Sequence, residues 1–294
     1  MNFNNNLSRG LNNLGNTCFF NSILQLLYQC TIFNKIILND INGKLINLYR
    51  NYIIDYNNSS TNLSPNEIIN YVSKKLGRSG FSQEDADQYL NYIIDAIINE
   101  LDEYIKSNQL ENLLITSKNI KFKTLVDSMF KIKINKEIIC TNCNHISKST
   151  DLDNKLYLTL DNNIDNLNDL IQNYKYEILD DDNKYKCEKC HKYNNAIIKK
   201  DILKLPKYLI ITLKRYSNLN SKINNQIQMY EYINIHNKDY ELRGFVYHSG
   251  STNGGHYVYY GKIRNSWYLY NDSSVEESNL DKINAGYIYL YISK

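Results

Sequence analysis

Apolar residues recur every three or four positions through the first hundred residues, which is typical of amphipathic helices. The first such run follows Cys18, at Phe19, Ile23, Leu24 and Leu27. Residues 32–56 predict one or two further helices. The tetrapeptide Ser64-Pro65-Asn66-Glu67 predicts another helix start, because a cap residue, a proline and an acidic residue stand together. One more amphipathic helix is predicted from near Ser82, with apolar positions at Ala86, Tyr89, Leu90, Ile93, Ile94 and Ile97.

From Lys121 the apolar period changes to two, which is typical of strands. This interpretation covers Phe122, Leu125, Phe130, Ile132, Ile134, Ile138 and the run 156–160. Residues 163–176 again have the spacing of a helix. Two strands flank Pro206, and the apolar run 209–213 predicts a central strand that is buried on both faces. Further strands are expected at residues 245–248, 257–260, 267–271 and 287–292.

Bulk composition excludes several classes of protein. The 294 residues suffice for a substantial core, in one composite domain or two small ones. The net charge of +3 comes from 34 basic and 31 acidic residues without a basic block, so nucleic acid is not expected as the main partner. Neither a signal peptide nor an apolar run of membrane-spanning length is visible. We therefore expect a soluble, intracellular protein of the cytoplasm or the nucleus.

Cys18 is the first candidate for chemistry. It stands where a loop containing Gly15, Asn16 and Thr17 enters the first predicted helix. The helix dipole and free backbone N–H groups at that junction should lower the pKa of the thiol, and they could stabilise an oxyanion. The alternative is a buried, inert cysteine, which is the usual role of a free cysteine. Cys30 continues the apolar face of the same helix and is expected in the core.

A histidine segment late in the chain favours the catalytic interpretation. His256 follows Gly254 and Gly255, which leave room for a second backbone beside it, and Tyr257 follows. His248 lacks such a setting and is expected to be structural. An early cysteine, a late histidine and then an amide or a carboxylate is the order of papain-like thiol hydrolases.

The third catalytic group is expected at the end of the strand that contains Trp267. Asn271 and Asp272 are neighbours there, and adjacent residues of a regular strand point to opposite faces. Only one of the two can therefore orient the imidazole of His256. We expect Asn271 in that role and Asp272 in a supporting one.

Four of the six cysteines form two Cys-x-x-Cys pairs, Cys140 with Cys143 and Cys187 with Cys190. In a chain without a signal peptide, such pairs indicate a structural zinc site more than disulfides. His145 or His191 could replace one thiolate, and the cysteines could also be free. A thioredoxin-like redox role is disfavoured, because neither pair opens a helix after a buried strand. A zinc ribbon that binds nucleic acid would need a basic face, which is not evident.

The segments from Gly10 to Gln25 and from Tyr240 to Asp272 resemble the cysteine and histidine boxes of the ubiquitin-specific proteases. Between them, residues 205–216 resemble the family's Leu-Pro-x-x-Leu-x-Ile-x-Leu-Lys-Arg-Tyr strand. The resemblance extends from Gly10 to about the last strand. It implies an α+β, papain-like cysteine protease fold with a helical thumb at about 1–125, zinc-bearing β fingers at about 126–195 and a β palm at about 196–294.

The resemblance also implies site residues. Asn13, five residues before Cys18, matches the family's oxyanion donor, and the fingers would grip the globular body of ubiquitin. Gln83 and Asp85 match a segment that borders the channel for the ubiquitin tail. The family's usual Gln and Glu are Glu84 and Gln88 here, so one expected charge partner is missing. A narrow passage beside Gly254, Gly255 and Tyr257 would select a Gly-Gly tail.

The predicted function is hydrolysis of the bond after the C-terminal glycine of ubiquitin, by a protein expected to be a monomer. Zinc would be structural, and no cofactor would be needed for the chemistry. Two alternatives stay open, a protease for another ubiquitin-like modifier and a catalytically weak ubiquitin-binding module. A zinc-dependent nucleic-acid binder is a third and more remote class.

Overall fold

The computed structural model describes residues 8–79, 82–108, 116–117, 120–121, 125–216, 221–251 and 254–294. The helices of the first part are α1 (Cys18–Tyr28), α2 (Thr31–Ile37), α3 (Lys44–Asn58), α4 (Asn66–Lys75) and α5 (Ala86–Ser107). They confirm the helices predicted from the apolar spacing. Every residue of α1 is buried, so this helix forms the centre of the bundle. Cys30 is fully buried in the same core, as expected.

Helix α5 begins at Ala86, four residues later than the predicted start near Ser82. The cause is its N-cap residue. Asp85 Oδ1 accepts hydrogen bonds from the backbone N–H groups of Asp87 (2.7 Å) and Gln88 (3.1 Å). These bonds satisfy donors that the first helical turn cannot use internally. Residues 82–84 are therefore left outside the helix, and residues 80–81 lie outside the described part of the chain.

The remaining helices are α6 (Leu125–Phe130) and α7 (Leu167–Tyr174). The prediction of strand at Leu125 and Phe130 was wrong, because Val126, Met129 and Phe130 are buried at the three-to-four spacing of a helix. Phe122, which belonged to the same prediction, lies outside the described residues. Helix α7 is shorter than the predicted 163–176, since Asn166 caps its start and a strand begins at Tyr176.

The strands, in chain order, are β1 (Thr116–Ser117), β2 (Ile120–Lys121), β3 (Ile132–Cys140), β4 (Ile146–Asp153), β5 (Leu156–Thr159), β6 (Tyr176–Leu179), β7 (Tyr185–Lys186), β8 (Tyr193–Asn194), β9 (Ala196–Lys204), β10 (Tyr208–Lys214), β11 (Tyr232–Ile235), β12 (Lys238–Ser251), β13 (Gly254–Ile263), β14 (Ser266–Asn271), β15 (Ser274–Ser278) and β16 (Ile288–Ser293). The large sheet has the order β15-β14-β13-β12-β16-β10-β5, with β11 paired to β12. A smaller sheet has the order β4-β3-β9-β6.

Two hydrophobic cores cover the two faces of the large sheet. Alternation along β10 divides its residues between them, since Ile210 packs with the helices of the first part and Leu209 and Ile211 pack on the opposite face with α7. All but the last residue of β10 are buried, which confirms the predicted two-sided central strand. Among the described helices, none is long and apolar enough to cross a membrane.

The strand pairing refines the expected limits of the fingers. Strand β9 pairs with β3 and β6, so the smaller sheet extends to Lys204, beyond the predicted limit near 195. Strand β5 instead pairs in parallel with β10 in the large sheet. The smaller sheet is thus built from two chain segments that are separated by a return into the large sheet.

Candidate active site

The loop before α1 is shaped by a single amide side chain. Asn13 Oδ1 accepts hydrogen bonds from the backbone N–H groups of Gly15 (3.0 Å) and Thr17 (3.1 Å). Gly15 and Asn16 take the left-handed backbone conformation, with φ of 96° and 56°, so glycine and asparagine suit these positions. Thr17 makes no side-chain cap for the helix. The backbone N–H groups of Cys18 and Phe19 consequently point to the Cys18 thiol.

Cys18 is 4% exposed, and burial raises the pKa of its thiol above the ordinary value. Hydrogen bonds from the backbone N–H groups of Tyr257, Phe19 and Cys18 itself lower the pKa, while the negative charge of Asp272 raises it. The expectation of a net lowering was wrong, because desolvation exceeds the effect of the helix terminus. The raised pKa leaves Cys18 a neutral thiol, which would need a base in order to act as a nucleophile.

His256, the residue expected to act as the base, lies on the strand that packs against α1. The bond from the Tyr257 backbone N–H to the Cys18 thiol places α1 directly against β13, where His256 is the preceding residue. His256 Nε2 lies 2.6 Å from Asn271 Oδ1. Because a carbonyl oxygen can only accept, Nε2 carries the proton, and Nδ1 is the basic nitrogen. The structure thus brings Cys18, His256 and Asn271 together across the cleft between the helices and the large sheet.

Asp272 does not contact the imidazole of His256. It occupies the turn after β14 with φ of 49°, and its carboxylate accepts hydrogen bonds from Asn13 Nδ2 (2.8 Å, to Oδ2) and Asn21 Nδ2 (2.8 Å, to Oδ1). Its backbone oxygen accepts from the N–H of Leu11 (2.8 Å). The sequence analysis missed Asn21, whose side chain is buried on α1. Asp272 therefore holds the loop that carries Asn13.

Two glycines near the site lie where a side chain would clash with a neighbouring segment of the chain. A Cβ on Gly10 would lie 2.4 Å from the carbonyl oxygen of Ser273, in the turn of Asp272. A Cβ on Gly255 would lie 2.2 Å from His248 Nε2. His248 is itself buried, with the hydroxyl of Tyr216 2.8 Å from its Nδ1, and burial lowers its pKa to about 4. The second histidine thus supports the backbone below Gly255 as a neutral ring.

The predicted tail-binding residues lie near β13, but their side chains already make hydrogen bonds within the protein. Gln83 Nε2 donates to the carbonyl oxygen of Gly255 (3.2 Å), and Gln83 Oε1 accepts from the Gly255 N–H (3.0 Å). Asp85 uses Oδ1 as the cap of α5 and accepts from the Tyr287 hydroxyl with Oδ2 (2.9 Å). Burial, and next the charge of Asp87, raise the pKa of Asp85. Its place in the fold is that of a structural cap.

The four cysteines of the Cys-x-x-Cys pairs meet at the end of the smaller sheet. Their sulfur atoms all lie within 4.8 Å of one another, and Cys143 Sγ is 3.6 Å from Cys187 Sγ. That distance is too long for a disulfide and close to the edge of about 3.8 Å of a tetrahedron with zinc–sulfur bonds of about 2.3 Å. Neither His145 nor His191 belongs to this four-cysteine cluster, as far as the described residues show.

The two halves of the four-cysteine cluster have the same backbone geometry. Asn144 N–H donates to the carbonyl of Cys140, and His191 N–H donates to the carbonyl of Cys187, each at 2.9 Å. Asn144 and His191 both have left-handed φ, of 55° and 57°. The turns therefore present their thiols to a common centre. The backbone N–H of Lys192 lowers the pKa of the Cys190 thiol, whereas at Cys143 a hydrogen bond from the backbone of His145 is outweighed by burial and the neighbouring thiols, which raise its pKa.

A comparison with family models identifies residues 9–291 as a match to the ubiquitin carboxyl-terminal hydrolase model. The chain belongs to the ubiquitin carboxyl-terminal hydrolase family. The resemblance stated from the two sequence boxes is thereby confirmed, and it covers nearly the whole chain.

Curated relatives of this chain come from animals, fungi and plants. Ubiquitin carboxyl-terminal hydrolase 2 of Bos taurus is 29% identical over 96% of this chain and 54% of its own length. Hydrolase 8 of Saccharomyces cerevisiae is 28% identical over 96% of this chain and 69% of its own. Hydrolase 16 of Arabidopsis thaliana is 26% identical over 93% of this chain and 29% of its own. The chain thus spans about half of the length of the Bos taurus relative and less than a third of the Arabidopsis thaliana relative.

A solved structure confirms the fold of this chain. A chain of the SAGA DUB module, which contains Ubp8, Sgf11, Sus1 and Sgf73 and is bound to monoubiquitin, matches with a TM-score of 0.76 at 24% identity. The match covers all of this chain and 70% of that one. The chain therefore has the papain-like fold with helical thumb, β fingers and β palm that the sequence boxes implied.

One buried ion pair was missed by the sequence analysis. Asp87, on the first turn of α5, pairs with Lys155 and accepts a hydrogen bond from the Thr212 hydroxyl (2.8 Å). The side chains of Asp87 and Lys155 are only 8% and 11% exposed. The pair ties the start of α5 to β5 and β10. The one signal in the sequence is a charged residue among the apolar positions of an amphipathic helix.

Proposed function

We propose that this chain is a thiol-dependent protease that hydrolyses the isopeptide or peptide bond after the C-terminal glycine of ubiquitin. The observation that carries the proposal is the contact of the Cys18 thiol with the backbone of Tyr257, beside His256, whose Nε2 is held by Asn271. A nucleophile, a base and an orienting amide in this order are the parts that acyl transfer requires. The names of the curated relatives support ubiquitin as the substrate.

The mechanism follows from the protonation states. His256 Nδ1 takes the proton of Cys18, and the thiolate adds to the carbonyl carbon of the terminal glycine. The oxyanion that forms is stabilised by the backbone N–H of Cys18 and by Asn13. His256 returns its proton to the leaving amine as the carbon–nitrogen bond breaks, which leaves a thioester. Water then attacks the thioester with His256 as base, releasing the glycine carboxylate and restoring the thiol.

Selection of glycine is proposed to come from the walls of the cleft. Gly254 and Gly255 form one wall, and the ordered contacts of Gln83 and Tyr257 border it. Because His248 and the backbone of Ser249 pack directly beneath Gly255, this wall cannot recede to admit a substrate residue with a larger side chain. A tail that ends in two glycines fits without such a displacement.

The body of ubiquitin is proposed to lie in the concave surface between thumb, palm and fingers. This surface is lined by Tyr157 of β5, Tyr174 of α7, Lys200 of β9 and Lys214 of β10. The aromatic rings are flanked by these lysines at 4.8–5.0 Å (Lys200 over Tyr174, Lys214 over Tyr157). Glu177, which pairs with Lys200 at 2.7 Å, also lines the surface, so it offers apolar area with a rim of mixed charge. The chain is proposed to divide into thumb, fingers and palm, with the fingers extending through β9.

Zinc is proposed as the structural ion of the four-cysteine cluster. Cys140, Cys143, Cys187 and Cys190 supply a complete tetrahedral thiolate set, which leaves no position open for catalysis. The ion would join the two hairpins of the fingers, whose tip has little apolar core of its own. It takes no part in the chemistry at Cys18.

The experiment that tests the function measures hydrolysis of a ubiquitin C-terminal fluorogenic amide. We expect turnover by the wild-type chain, complete loss in Cys18→Ala and retention in the matched variant Cys30→Ala, since Cys30 lies in the core. Ubiquitin vinyl sulfone should increase the mass of the chain by that of one ubiquitin, through a bond at Cys18 only. Tight binding of ubiquitin without turnover would instead support the catalytically weak binding module.

A protease for another ubiquitin-like modifier is the second candidate, and Glu84 favours it. The Glu84 carboxylate pairs with Arg78 (3.6 Å) and accepts from the Ser82 hydroxyl (2.8 Å), so its charge is held by the thumb itself. Gln88 is exposed and uncharged. A panel of modifier vinyl sulfones, compared by second-order rate, separates the two candidates: preference for ubiquitin contradicts this one.

A further inference from the structure

One edge of β13 is open beside the cleft. Strand β12 pairs with β13 up to Gly254, but β14 pairs with it only from Tyr259 onward. The backbone groups of alternate residues point to the same edge of a strand. Gly255 and Tyr257 therefore present their backbone toward the cleft, whereas Tyr259 presents its own to β14. The Tyr257 N–H reaches the Cys18 thiol.

Gln83 occupies the position next to it along this edge. Its amide accepts from the Gly255 N–H at 3.0 Å and donates to the Gly255 carbonyl at 3.2 Å. Its Oε1 also lies 3.0 Å from where a Cβ of Gly254 would be, so the amide is seated against bare backbone. A primary amide offers one donor and one acceptor side by side, as the peptide groups of an added strand do. Gln83 thus satisfies the edge in the way a bound extended peptide would.

We propose that Gln83 is an internal mimic of the substrate tail, which pairs with Gly255 in the free enzyme and is exchanged for the backbone of an extended, glycine-ended peptide. The inference rests on the proposed function, because it concerns the same cleft. Gln83, a residue of the thumb, competes with the substrate for the edge of β13. Each tail that binds must first break two hydrogen bonds between thumb and palm.

If Gln83 competes with the substrate, its removal should lower KM, whereas removal of a residue that binds the substrate would raise KM. Removing the amide in Gln83→Ala frees the edge of β13, so kcat/KM should rise about three- to tenfold through a lower KM. The value of kcat should not change, because Gln83 touches none of the reacting atoms. In Gln83→Glu the acceptor remains but the donor is lost, and a carboxylate faces the Gly255 carbonyl, so the edge should be released as well.

The test compares wild type, Gln83→Ala and Gln83→Glu on a ubiquitin fluorogenic amide and on a short peptide amide ending in Gly-Gly. The matched control is Gln88→Ala, an exposed glutamine on the first turn of α5 whose backbone N–H, and not its side chain, makes the hydrogen bond to Asp85. Hydrogen exchange at the Gly255 amide provides a readout that is independent of activity. It should quicken in both Gln83 variants and not in the control.

A lower KM with faster exchange supports the mimic. A higher KM in Gln83→Ala, on either substrate, overturns it and makes Gln83 a tail-binding residue. Unchanged KM with faster exchange also overturns it, since the contact then exists without competing. Failure of the proposed function is distinct, because in that case the wild-type chain and the Gln88→Ala control would not hydrolyse the substrates at all.

Discussion

Replacement of Asn13 by alanine gives the sharpest test of the site. The amide nitrogen of Asn13 has two hydrogens, and one of them is held by Asp272 Oδ2 at 2.8 Å. In the proposed mechanism, the second would donate to the oxyanion beside Cys18. Losing one donor of this kind typically lowers kcat about a hundred- to a thousandfold, which corresponds to about 2.7–4 kcal/mol in the transition state. We expect that loss in kcat, with little change in KM.

The substitution also removes the two bonds that Asn13 Oδ1 accepts from Gly15 and Thr17. At about 1 kcal/mol for each bond, this effect on the loop must be separated from the chemistry. Alkylation of Cys18 by iodoacetamide serves this purpose, because that reaction forms no oxyanion. Its rate should change less than about threefold in Asn13→Ala if the loop keeps its shape.

The matched control is Asn12→Ala. The neighbouring amide donates to the Ser64 hydroxyl at 2.9 Å on the exposed side of the same loop, so hydrolysis should stay within about twofold of wild type. The reasoning is refuted if Asn13→Ala retains more than about a fifth of wild-type kcat. It is refuted equally if alkylation and hydrolysis fall by the same factor, since the amide would then act only on the loop or the thiol.

Three further predictions follow from charge and metal. Asp272→Asn should move the pH midpoint of Cys18 alkylation downward, because the negative charge that raises the pKa of the thiol is removed; an upward shift would contradict this. Asp87→Ala should lower the free energy of unfolding by about 3–5 kcal/mol in urea titrations, since it leaves Lys155 buried without its partner. Glu137→Ala, which removes an exposed pair with Lys148, should cost less than about 1 kcal/mol, and equal costs would disprove the role of burial. Cys143→Ser should release zinc to a colorimetric chelator and loosen the fingers, whereas Cys30→Ala should release none; a variant that binds zinc as wild type does would exclude the four-cysteine cluster.

Local sequence patterns predicted most of the helices and strands, and they pointed to the residues proposed to be reactive. The helices α1 to α5 follow from apolar spacing within each segment, and β10 follows from a continuous apolar run. Cys18 and His256 could be recognised because their immediate neighbours, a cap sequence and a glycine pair, are part of the chemical setting. The two Cys-x-x-Cys turns are equally local, since each repeats the same backbone bonds within five residues.

The end of β14 separates the positions of two neighbours. Asn271 is its last residue and reaches the imidazole of His256, whereas Asp272 lies in the following turn with φ of 49° and contacts Asn13 and Asn21. The direction in which Asp272 turns was not predictable. Its partners Asn13 and Asn21 lie 259 and 251 positions away in the chain.

The sequence by itself thus determined most of the periodic elements, and it pointed to the thiol and imidazole proposed for catalysis and to the two Cys-x-x-Cys turns. The tertiary structure alone decided the pKa of Cys18, the burial of Asp87 against Thr212 and the pairing of Gln83 with Gly255. The physical reason is range: periodicity and caps depend on residues within one or two turns. Desolvation and hydrogen bonds across the cleft depend on surfaces that meet only when thumb and palm pack together.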